Sequence, residues 1–483
     1  MAAQQEARGA RTGHEDALPA PPGDTVLEAA TARTTAARAA LRPKKAYTWD
    51  ELAAYVPTTL TDIDYENGPP IAQSRLRLFG RPQTEVRVTL FRDNHAWCPF
   101  CQKVWMWLEE KRVPYRVEKV ALRCYGQKEM WYTNLVPSGL VPAVKLDDRV
   151  IEDSNTIIEH LENAFGALNG VSITDSEVRR YVKLERRMFD AWMNWAFLMD
   201  RSKTDGKAKQ KVFVQGLQVM ERRLAAAAGS DGASQATATT TEGTAGGGPF
   251  FLGDQVTVVD LMLAPFLERM NGTLFYYKGF KLRHGGFELI DRWWAAMEQR
   301  PPFAASMSDI HTHAHVVPPL FGMMYESGDE EQQRCKRLVD DGPFLKVPDN
   351  DLPPAPNFID VCLARNIKHK NSIMKQNPHR HGNIDEAFRC ALTFMVTGHR
   401  LVPPTGTNSS LRYIRDRISV PRDMPSHSAQ VMRHVLEQTA QLDGLLKGTP
   451  IPVKHRKDQE PFAFIKARQE NVLAPGGSGQ TLL

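Results

Sequence analysis

The sequence has little of several features that mark whole classes of protein. Six cysteines in 483 residues are too few for a secreted fold held by disulfides, and they favour a reducing compartment. There is no apolar run of about 18 residues, the length that a membrane span needs, and no apolar core of a secretory signal. The formal charge is only +5, with acidic residues interleaved among the basic ones, so nucleic-acid binding is not indicated.

The remaining composition, 42% hydrophobic and 24% charged, is that of a globular protein long enough for two or three domains. Residues 1–45 are rich in Ala, Arg and Thr without periodic apolar positions, which predicts a disordered tail. An organelle transit peptide is the alternative, although Glu6, Glu15 and Asp16 make the segment more acidic than such peptides usually are. Chloroplast and cytoplasm both stay open as locations.

The strongest chemical signal is Cys98-Pro99-Phe100-Cys101. It follows a predicted strand of alternating apolar residues that begins at Val86, and it opens a predicted helix over 102–111. Unpaired N–H groups and the helix dipole at such a helix start stabilise a thiolate. Cys98 is therefore the candidate nucleophile, and Cys101, one turn further along, could resolve a mixed disulfide.

Two plainer explanations of this motif are half of a zinc site and a pair of buried structural cysteines. Zinc would need a second ligand pair, and the other four cysteines show no Cys-x-x-Cys spacing. Pro99 suits a first helical turn, where its missing N–H costs nothing, and Lys103 brings positive charge near the thiol. The pattern therefore favours thiol chemistry over both alternatives.

Residues 86–166 predict an α/β domain in the order strand, helix, strand, strand pair, helix. The strand candidates after the first are 115–122, 143–146 and 150–151, and the last two flank an Asp-Asp turn. The apolar spacing of Ile157, Ile158 and Leu161 then indicates a helix face.

Residues 176–303 predict an all-helical domain. A helical pattern runs from 176 to 228, and a flexible insertion rich in Ser, Thr, Ala and Gly follows at 229–248. A capping box at 257–260 opens the next helix, and a further helix over 286–300 stops at two prolines.

Residues 304–483 form a third region of unknown role. Its prolines predict loops to about residue 358, followed by helices at 384–397, 410–417 and 426–446, the first capped by Asn383 and Gly398.

Two polar clusters of this third region invite a binding role. Alternating histidines in His311-Thr312-His313-Ala314-His315 could face one way on a strand and hold a metal. No acidic or cysteine ligands are evident nearby, so we expect a surface loop and no metal site. The charges at Arg415, Asp416, Arg417, Arg422 and Asp423 predict a salt-linked surface.

Four motifs together resemble those of a cysteine-type glutathione transferase: the Cys-Pro-Phe-Cys helix start, Gly139-Leu140-Val141-Pro142, Asp153-Ser154 and the capped segment 257–260. The resemblance covers about 86–303 and is to the omega, lambda and dehydroascorbate reductase group. It implies a thioredoxin-like α/β domain followed by the all-α transferase domain, here with a mostly helical C-terminal extension. The second cysteine and the long extension are most similar to the iota class of photosynthetic organisms.

The resemblance also implies a binding site for glutathione. Pro142 matches the family's cis-proline, which turns the Val141 backbone toward the cysteinyl part of glutathione. Asp153 and Ser154 match a Glu-Ser pair that holds the γ-glutamyl amine and carboxylate. An ordinary trans proline and a helix cap are the plain alternatives for these positions.

Two further residues complete the implied site. Lys128 matches a lysine that reaches the glycine carboxylate of glutathione, and its alternative is a solvated surface charge. Phe100 is expected to pack in the site wall.

We therefore expect a glutathione-dependent thiol–disulfide oxidoreductase or transferase in which Cys98 attacks and glutathione is the co-substrate. Deglutathionylation and dehydroascorbate reduction are the reactions implied, on a small thiol, disulfide or electrophilic substrate. The alternative is a non-catalytic ligand- or protein-binding module. Two questions stay open: whether the mechanism uses one thiol or two, and whether the protein is a homodimer.

Overall fold

A five-stranded sheet organises the first part of the computed structural model, which describes residues 28–32, 43–122, 128–229, 247–349, 351–377 and 382–443. The strand order is β1-β3-β2-β4-β5, with β2 parallel to β3 and the other pairs antiparallel. The strands are β1 Leu76–Arg77, β2 Val88–Asp93, β3 Tyr115–Val120, β4 Ala143–Leu146 and β5 Arg149–Glu152.

The early helices of the chain are α1 Trp49–Ala53, α2 Pro99–Glu110, α3 Met130–Leu135 and α4 Ser154–Phe165. The predicted strands and helices from residue 86 occur in the predicted order, but α3, between β3 and β4, was not predicted. Ile157, Ile158 and Leu161 are buried on α4, as expected. Strand β1 was not predicted. It is two residues long, and its Arg77 is buried in an ion pair with Glu109 at 2.8 Å, which breaks the apolar alternation that marks a strand.

The helical region that follows comprises α5 Ser176–Ala196, α6 Lys203–Ala227, α7 Val258–Lys278, α8 Glu288–Glu298, α9 Pro301–Ser306, α10 Ile310–Phe321 and α11 Glu330–Asp340. Every residue of α7 is buried, so α7 is the central helix. The predicted capping box is confirmed, because the Asp260 carboxylate accepts from the Thr257 N–H at 2.8 Å. The helical pattern predicted over 176–228 is confirmed and consists of two helices, and Ser202 caps the second by accepting from the Asp205 N–H at 3.2 Å.

The prediction of proline-rich loops to residue 358 is wrong, since α9, α10 and α11 occupy this stretch. Pro301 and Pro302 stand in the first turn of α9, where an N–H would have no partner within the helix. Pro318 and Pro319 come only near the end of α10. The prolines of this region therefore do not indicate loops, because they stand at positions where a helix tolerates proline.

A second hydrophobic core lies in the carboxy-terminal part of the chain, in α12 Phe358–Lys375, α13 Ile384–Thr397, α14 Asn408–Arg417 and α15 Ser426–Ala440. The predicted bounds of α13 are confirmed, and Gly398 ends it in the left-handed region at φ 70°. Leu52 of α1 is buried in this second core. Residues up to Val347 pack into the first core. The chain therefore passes from the first core to the second near residue 345, whereas the predicted division is after residue 303.

The predicted charged surface of this region is partly wrong. Arg415 is 2% exposed and its guanidinium pairs with Asp416 at 2.8 Å and with Glu437 of α15. These charges are inside the second core because α14 and α15 pack against each other. Arg422 and Asp423 form a half-buried pair at 2.7 Å.

Among the described residues, no helix has the length and apolar character that a membrane span requires. Most of the predicted disordered tail and of the insertion at 229–248 lies outside the described residues.

Buried carboxylates join the two cores. The Asp309 carboxylate accepts from Arg433 of α15, and both side chains are almost fully buried. The Asp349 carboxylate lies beside this pair, where it accepts from the Ile310 N–H at 2.7 Å and from the Ser426 hydroxyl at 3.4 Å. The junction therefore holds two acids and one arginine away from water.

Asp349 gives the stability of the protein a pH dependence. Burial, together with the Asp309 carboxylate, raises the pKa of Asp349 to about 8, against about 3.9 for an aspartate in an unfolded chain. Between these values the folded chain holds a proton that the unfolded chain has released, so stability falls as pH rises, by up to about 1.4 kcal/mol per unit. Asp349→Asn keeps the acceptor for Ile310 and should remove this slope. Urea unfolding of both proteins from about pH 5 to 8 measures it, and a pH-independent difference would contradict the assignment.

Candidate functional site

The Cys98 thiol lies at the start of α2, as predicted. Cys98 is the N-cap residue, with φ −72° and ψ 118°, and Pro99 is the first helical residue. The thiol Sγ lies 3.7 Å from the carbonyl oxygen of Val141 and donates to it. The Val141–Pro142 peptide bond is cis, as the resemblance implies. The structure therefore brings the candidate nucleophile and the predicted proline loop together.

The loop before Cys98 is fixed by residues that the sequence did not single out. The Asp93 carboxylate accepts from the N–H groups of Trp97 at 2.8 Å, His95 at 3.2 Å and Cys98 at 3.4 Å. Arg269, from the central helix α7, donates to the Trp97 carbonyl oxygen from Nε at 3.2 Å and from Nη2 at 2.7 Å. An aspartate at a strand end signals such a turn, whereas nothing local could have pointed to Arg269.

Two buried cations lie near Cys98. Arg269 is 1% exposed and also donates to the Gln102 side chain at 2.8 Å. The Lys103 ammonium donates to Asn155 at 2.9 Å, and burial lowers the pKa of Lys103. These two cations and the N-terminus of α2 favour a negative charge near Cys98, whereas the Asp93 carboxylate, which accepts from the Cys98 N–H at 3.4 Å, opposes it.

Cys101 is in a different environment from Cys98. It is 2% exposed, and burial raises the pKa of its thiol well above the usual range, with a further rise from a hydrogen bond to Cys98. Both cysteines are free thiols. Cys101 is therefore held as a neutral thiol, unsuited to attack substrate directly.

The two residues predicted at the start of α4, Asp153 and Ser154, differ in their contacts. Asp153 is the N-cap at φ 65°, and its Oδ1 accepts from the N–H groups of Asn155 at 3.1 Å and Thr156 at 3.0 Å. The cap interpretation of Asp153 is therefore confirmed. Ser154 follows as the first helical residue, is 4% exposed, and its hydroxyl has no hydrogen-bond partner among the described residues.

Lys128 lies beside the proline loop. Its ammonium donates to the Ala121 carbonyl oxygen at 2.8 Å and lies 5.4 Å from the centre of the Tyr132 ring. A Cβ built at Gly139, where φ is 63°, would lie 3.4 Å from Cδ of Lys128. The Tyr132 hydroxyl in turn donates to the Leu140 carbonyl oxygen. The lysine is thus part of this corner of the fold rather than a solvated charge.

Phe100, two residues after Cys98, begins an aromatic wall. It is 37% exposed and meets Phe266 of α7 edge to face at 5.3 Å. Phe189 of α5 continues the row, 5.7 Å from Phe266 and 6.1 Å from Phe321 of α10. The sequence predicted Phe100, but it could not reveal that three distant helices extend the same wall.

The histidine run lies behind the site, and the prediction of a surface loop there is wrong. His311, His313 and His315 are buried on α10. His313 Nε2 lies 2.8 Å from the carboxylate of Glu268, which also accepts from Gln102 at 2.9 Å. Alternation suggested a strand or loop, but residues two apart on a helix face different neighbours. No group of three ligands suited to a metal ion occurs in the part of the chain that the structure describes.

Comparison with known families gives two matches within the chain. Residues 97–164 match the N-terminal domain of glutathione S-transferases, and residues 200–301 match their C-terminal domain. Both domains are those of enzymes whose co-substrate is glutathione. The matches end before α10, so the aromatic wall and the second core extend beyond them.

Three curated relatives are similar to part of this chain. Glutathione S-transferase DHAR2 of Arabidopsis thaliana is 28% identical over 185 residues, which are 38% of this chain and 72% of that protein. Glutathione S-transferase DHAR3, chloroplastic, of the same plant is 27% identical over 38% of this chain and 59% of that protein. Probable glutathione S-transferase DHAR1, cytosolic, of Oryza sativa subsp. japonica is 27% identical over 39% of this chain and 75% of that protein. These similarities do not single out the iota class, which stays a prediction.

Proposed function

We propose that this chain, in which residues 97–164 and 200–301 form the two domains of a glutathione transferase, is a glutathione-dependent thiol–disulfide oxidoreductase. The observation that carries the proposal is the Cys98 thiol, located at the start of α2 and directed at the Val141 carbonyl oxygen. A thiol at this position favours mixed-disulfide chemistry over activation of bound glutathione for conjugation.

The reaction balances with glutathione as reductant. The Cys98 thiolate attacks the glutathione sulfur of a glutathionylated substrate, the substrate's S–S bond breaks, and the substrate thiol leaves and takes up a proton. Cys98 then carries glutathione as a mixed disulfide. A second glutathione thiolate attacks that disulfide, releases glutathione disulfide and regenerates Cys98. In dehydroascorbate reduction, two glutathiones would likewise supply the two electrons.

The residues around the thiol suit a bound glutathione. The Val141 backbone would pair with the cysteinyl part, and Lys128 would reach the glycine carboxylate. Ser154 offers its hydroxyl at the N-terminus of α4, which also favours a carboxylate. The cap bonds of Asp153 all use Oδ1, and Oδ2 would accept from the γ-glutamyl amine.

Ser154→Ala is expected to weaken glutathione binding by about 1–3 kcal/mol, because a charged ligand group loses a hydrogen-bond donor. The variant should fold normally, since Asp153 and not Ser154 caps α4. Calorimetric titration with glutathione measures the change. Thr156→Val is the matched control, because it removes a hydroxyl whose one hydrogen bond among the described residues is to the Asp153 cap, at 3.2 Å. Equal affinities of Ser154→Ala and the parent would remove Ser154 from the site.

Cys101→Ser is expected to lower turnover by only a few-fold, because glutathione can resolve the mixed disulfide in place of a buried, neutral thiol. Steady-state kcat with a glutathionylated peptide, at saturating glutathione, measures this. A loss as large as that of the Cys98 variant would replace the one-thiol mechanism with a two-thiol mechanism.

The substrate class is tested with the purified full chain on a glutathionylated peptide, dehydroascorbate and an aromatic electrophile. We expect turnover of one or both of the first two and weak conjugation of the third. Efficient conjugation alone would contradict the proposal. Glutathione binding without turnover of any of the three would favour a binding module.

A further inference from the structure

The residue before the candidate nucleophile is bonded to a segment far away in the sequence. Trp97 donates from its indole Nε1 to the hydroxyl of Ser419 at 2.8 Å, across 322 positions of the chain. Trp97 is 3% exposed and Ser419 is 5% exposed. This hydrogen bond is therefore shielded from water, and it links the loop of the reactive thiol to the carboxy-terminal region.

The acceptor is held firmly in place. Ser419 belongs to residues 418–423, named here the Ser419 loop, which is closed by two hydrogen bonds between Ser419 and Asp423, each of 2.8 Å. The next residue, Val420, donates its N–H to Thr312 of α10 at 3.1 Å and accepts from the Ser308 hydroxyl. The Ser419 loop is thus fixed both within itself and against α10 and the residue Ser308 that precedes it, a stretch that packs into the first core.

Trp97 contacts residues from three separate parts of the chain. Asp93, the last residue of β2, accepts from the Trp97 N–H, and Arg269 of α7 donates to the Trp97 carbonyl oxygen. The His95 ring stacks on the indole with centres 4.2 Å apart, and the hydroxyl of Ser419 fixes the indole nitrogen. Because Cys98 is the next residue, any shift of Trp97 moves the thiol relative to Val141.

We propose that Ser419 is a positioning residue for the reaction, through which the carboxy-terminal region holds Trp97 and thereby sets the location of the Cys98 thiol. The inference rests on the proposed function, because it takes Cys98 as the nucleophile. It gives the second core a role in activity that neither transferase domain supplies, since Ser419 lies well beyond both family matches.

The test compares Ser419→Ala with Ser428→Ala in the full-length protein. Ser428 is the matched control: it is a 1% exposed serine of the same core, and its hydroxyl donates to the Phe358 carbonyl oxygen at 2.7 Å, away from Trp97. Ser419→Ala should lower kcat about tenfold with little change in KM for glutathione, because misplacing a reacting group costs turnover rather than binding. Ser428→Ala should lower the unfolding midpoint and leave kcat unchanged.

Three further measurements keep the test decisive if the alanine variant is unstable. Ser419→Thr retains the hydroxyl and should restore kcat. In Trp97→Phe, which has no indole N–H, adding Ser419→Ala should have no further effect on kcat. Alkylation of Cys98 by iodoacetamide, assigned by peptide mass spectrometry, should change in parallel with kcat.

Equal kcat values for the two alanine variants, or independent effects of Trp97→Phe and Ser419→Ala, would overturn the positioning role. Cys98→Ser separates this failure from that of the proposed function. If Cys98→Ser is inactive while Ser419→Ala is fully active, the nucleophile stands and the positioning role falls. If Cys98→Ser stays active, the proposed function itself falls.

Discussion

Cys98→Ser is expected to lower the rate of thiol transfer by about a thousandfold or more, because a serine hydroxyl is not ionised at neutral pH and is a far weaker nucleophile than a thiolate. The exchange keeps the size of the side chain at the start of α2, so the fold and glutathione binding should be retained. Steady-state assays with a glutathionylated peptide measure the rate, and calorimetry with glutathione confirms an intact binding site.

Cys335→Ser is the matched control for this prediction. Cys335 is a fully buried cysteine of α11, and burial raises the pKa of its thiol to about 12, so it should be unreactive. Its replacement should leave turnover as in the parent protein. Activity of Cys98→Ser within about tenfold of the parent would remove Cys98 as the nucleophile.

Arg433→Met is expected to lower the free energy of unfolding by about 3–5 kcal/mol, because it leaves the carboxylate of Asp309 buried without its cation. The side chains of the pair are 2% and 0% exposed, and the acid Asp349 lies beside them. Equilibrium urea unfolding measures the loss. If unfolding has more than one transition, the loss should be largest in the transition that separates the two cores.

The control is Arg81→Met, which removes the cation of an exposed pair with Glu85 at 3.9 Å. Exposed pairs of this kind contribute little because water and salt screen them. The unfolding curve of this control should overlie that of the parent. If Arg433→Met behaved in the same way, the buried pair would not be holding the cores together.

Local signals were enough to predict several elements of the fold. The Cys98 helix start, the paired strands β4 and β5, and the capping box at Thr257 each depend on residues within a few positions of one another. Such short-range patterns depend on backbone hydrogen bonds between neighbouring residues, so the local sequence is enough to predict them. The proline loop and Ser154 were placed by resemblance, and the structure brings both to the same end of the sheet as the thiol.

The sequence-based expectations are wrong for residues whose burial is decided by distant segments. Arg415 and the histidines of α10 have the composition of a surface, but other helices enclose them and supply partners such as Glu437 and Glu268. Arg269 was missed for the same reason, because its role appears only when α7 packs behind Trp97. The local pattern around each of these residues reports none of these partners, which lie 22, 45 and 172 positions away.

The burial of Leu52 in the second core has a consequence for the order of folding. Tyr47 donates its N–H to Thr393 at 2.9 Å, and the Trp49 indole donates to Asp385 at 2.8 Å, so α1 docks on α13. The second core is therefore discontinuous in sequence, with the whole transferase part inserted between its two pieces. During synthesis, the amino-terminal piece must wait for about 330 further residues before α13 is made, so the first core can fold before the second core is complete.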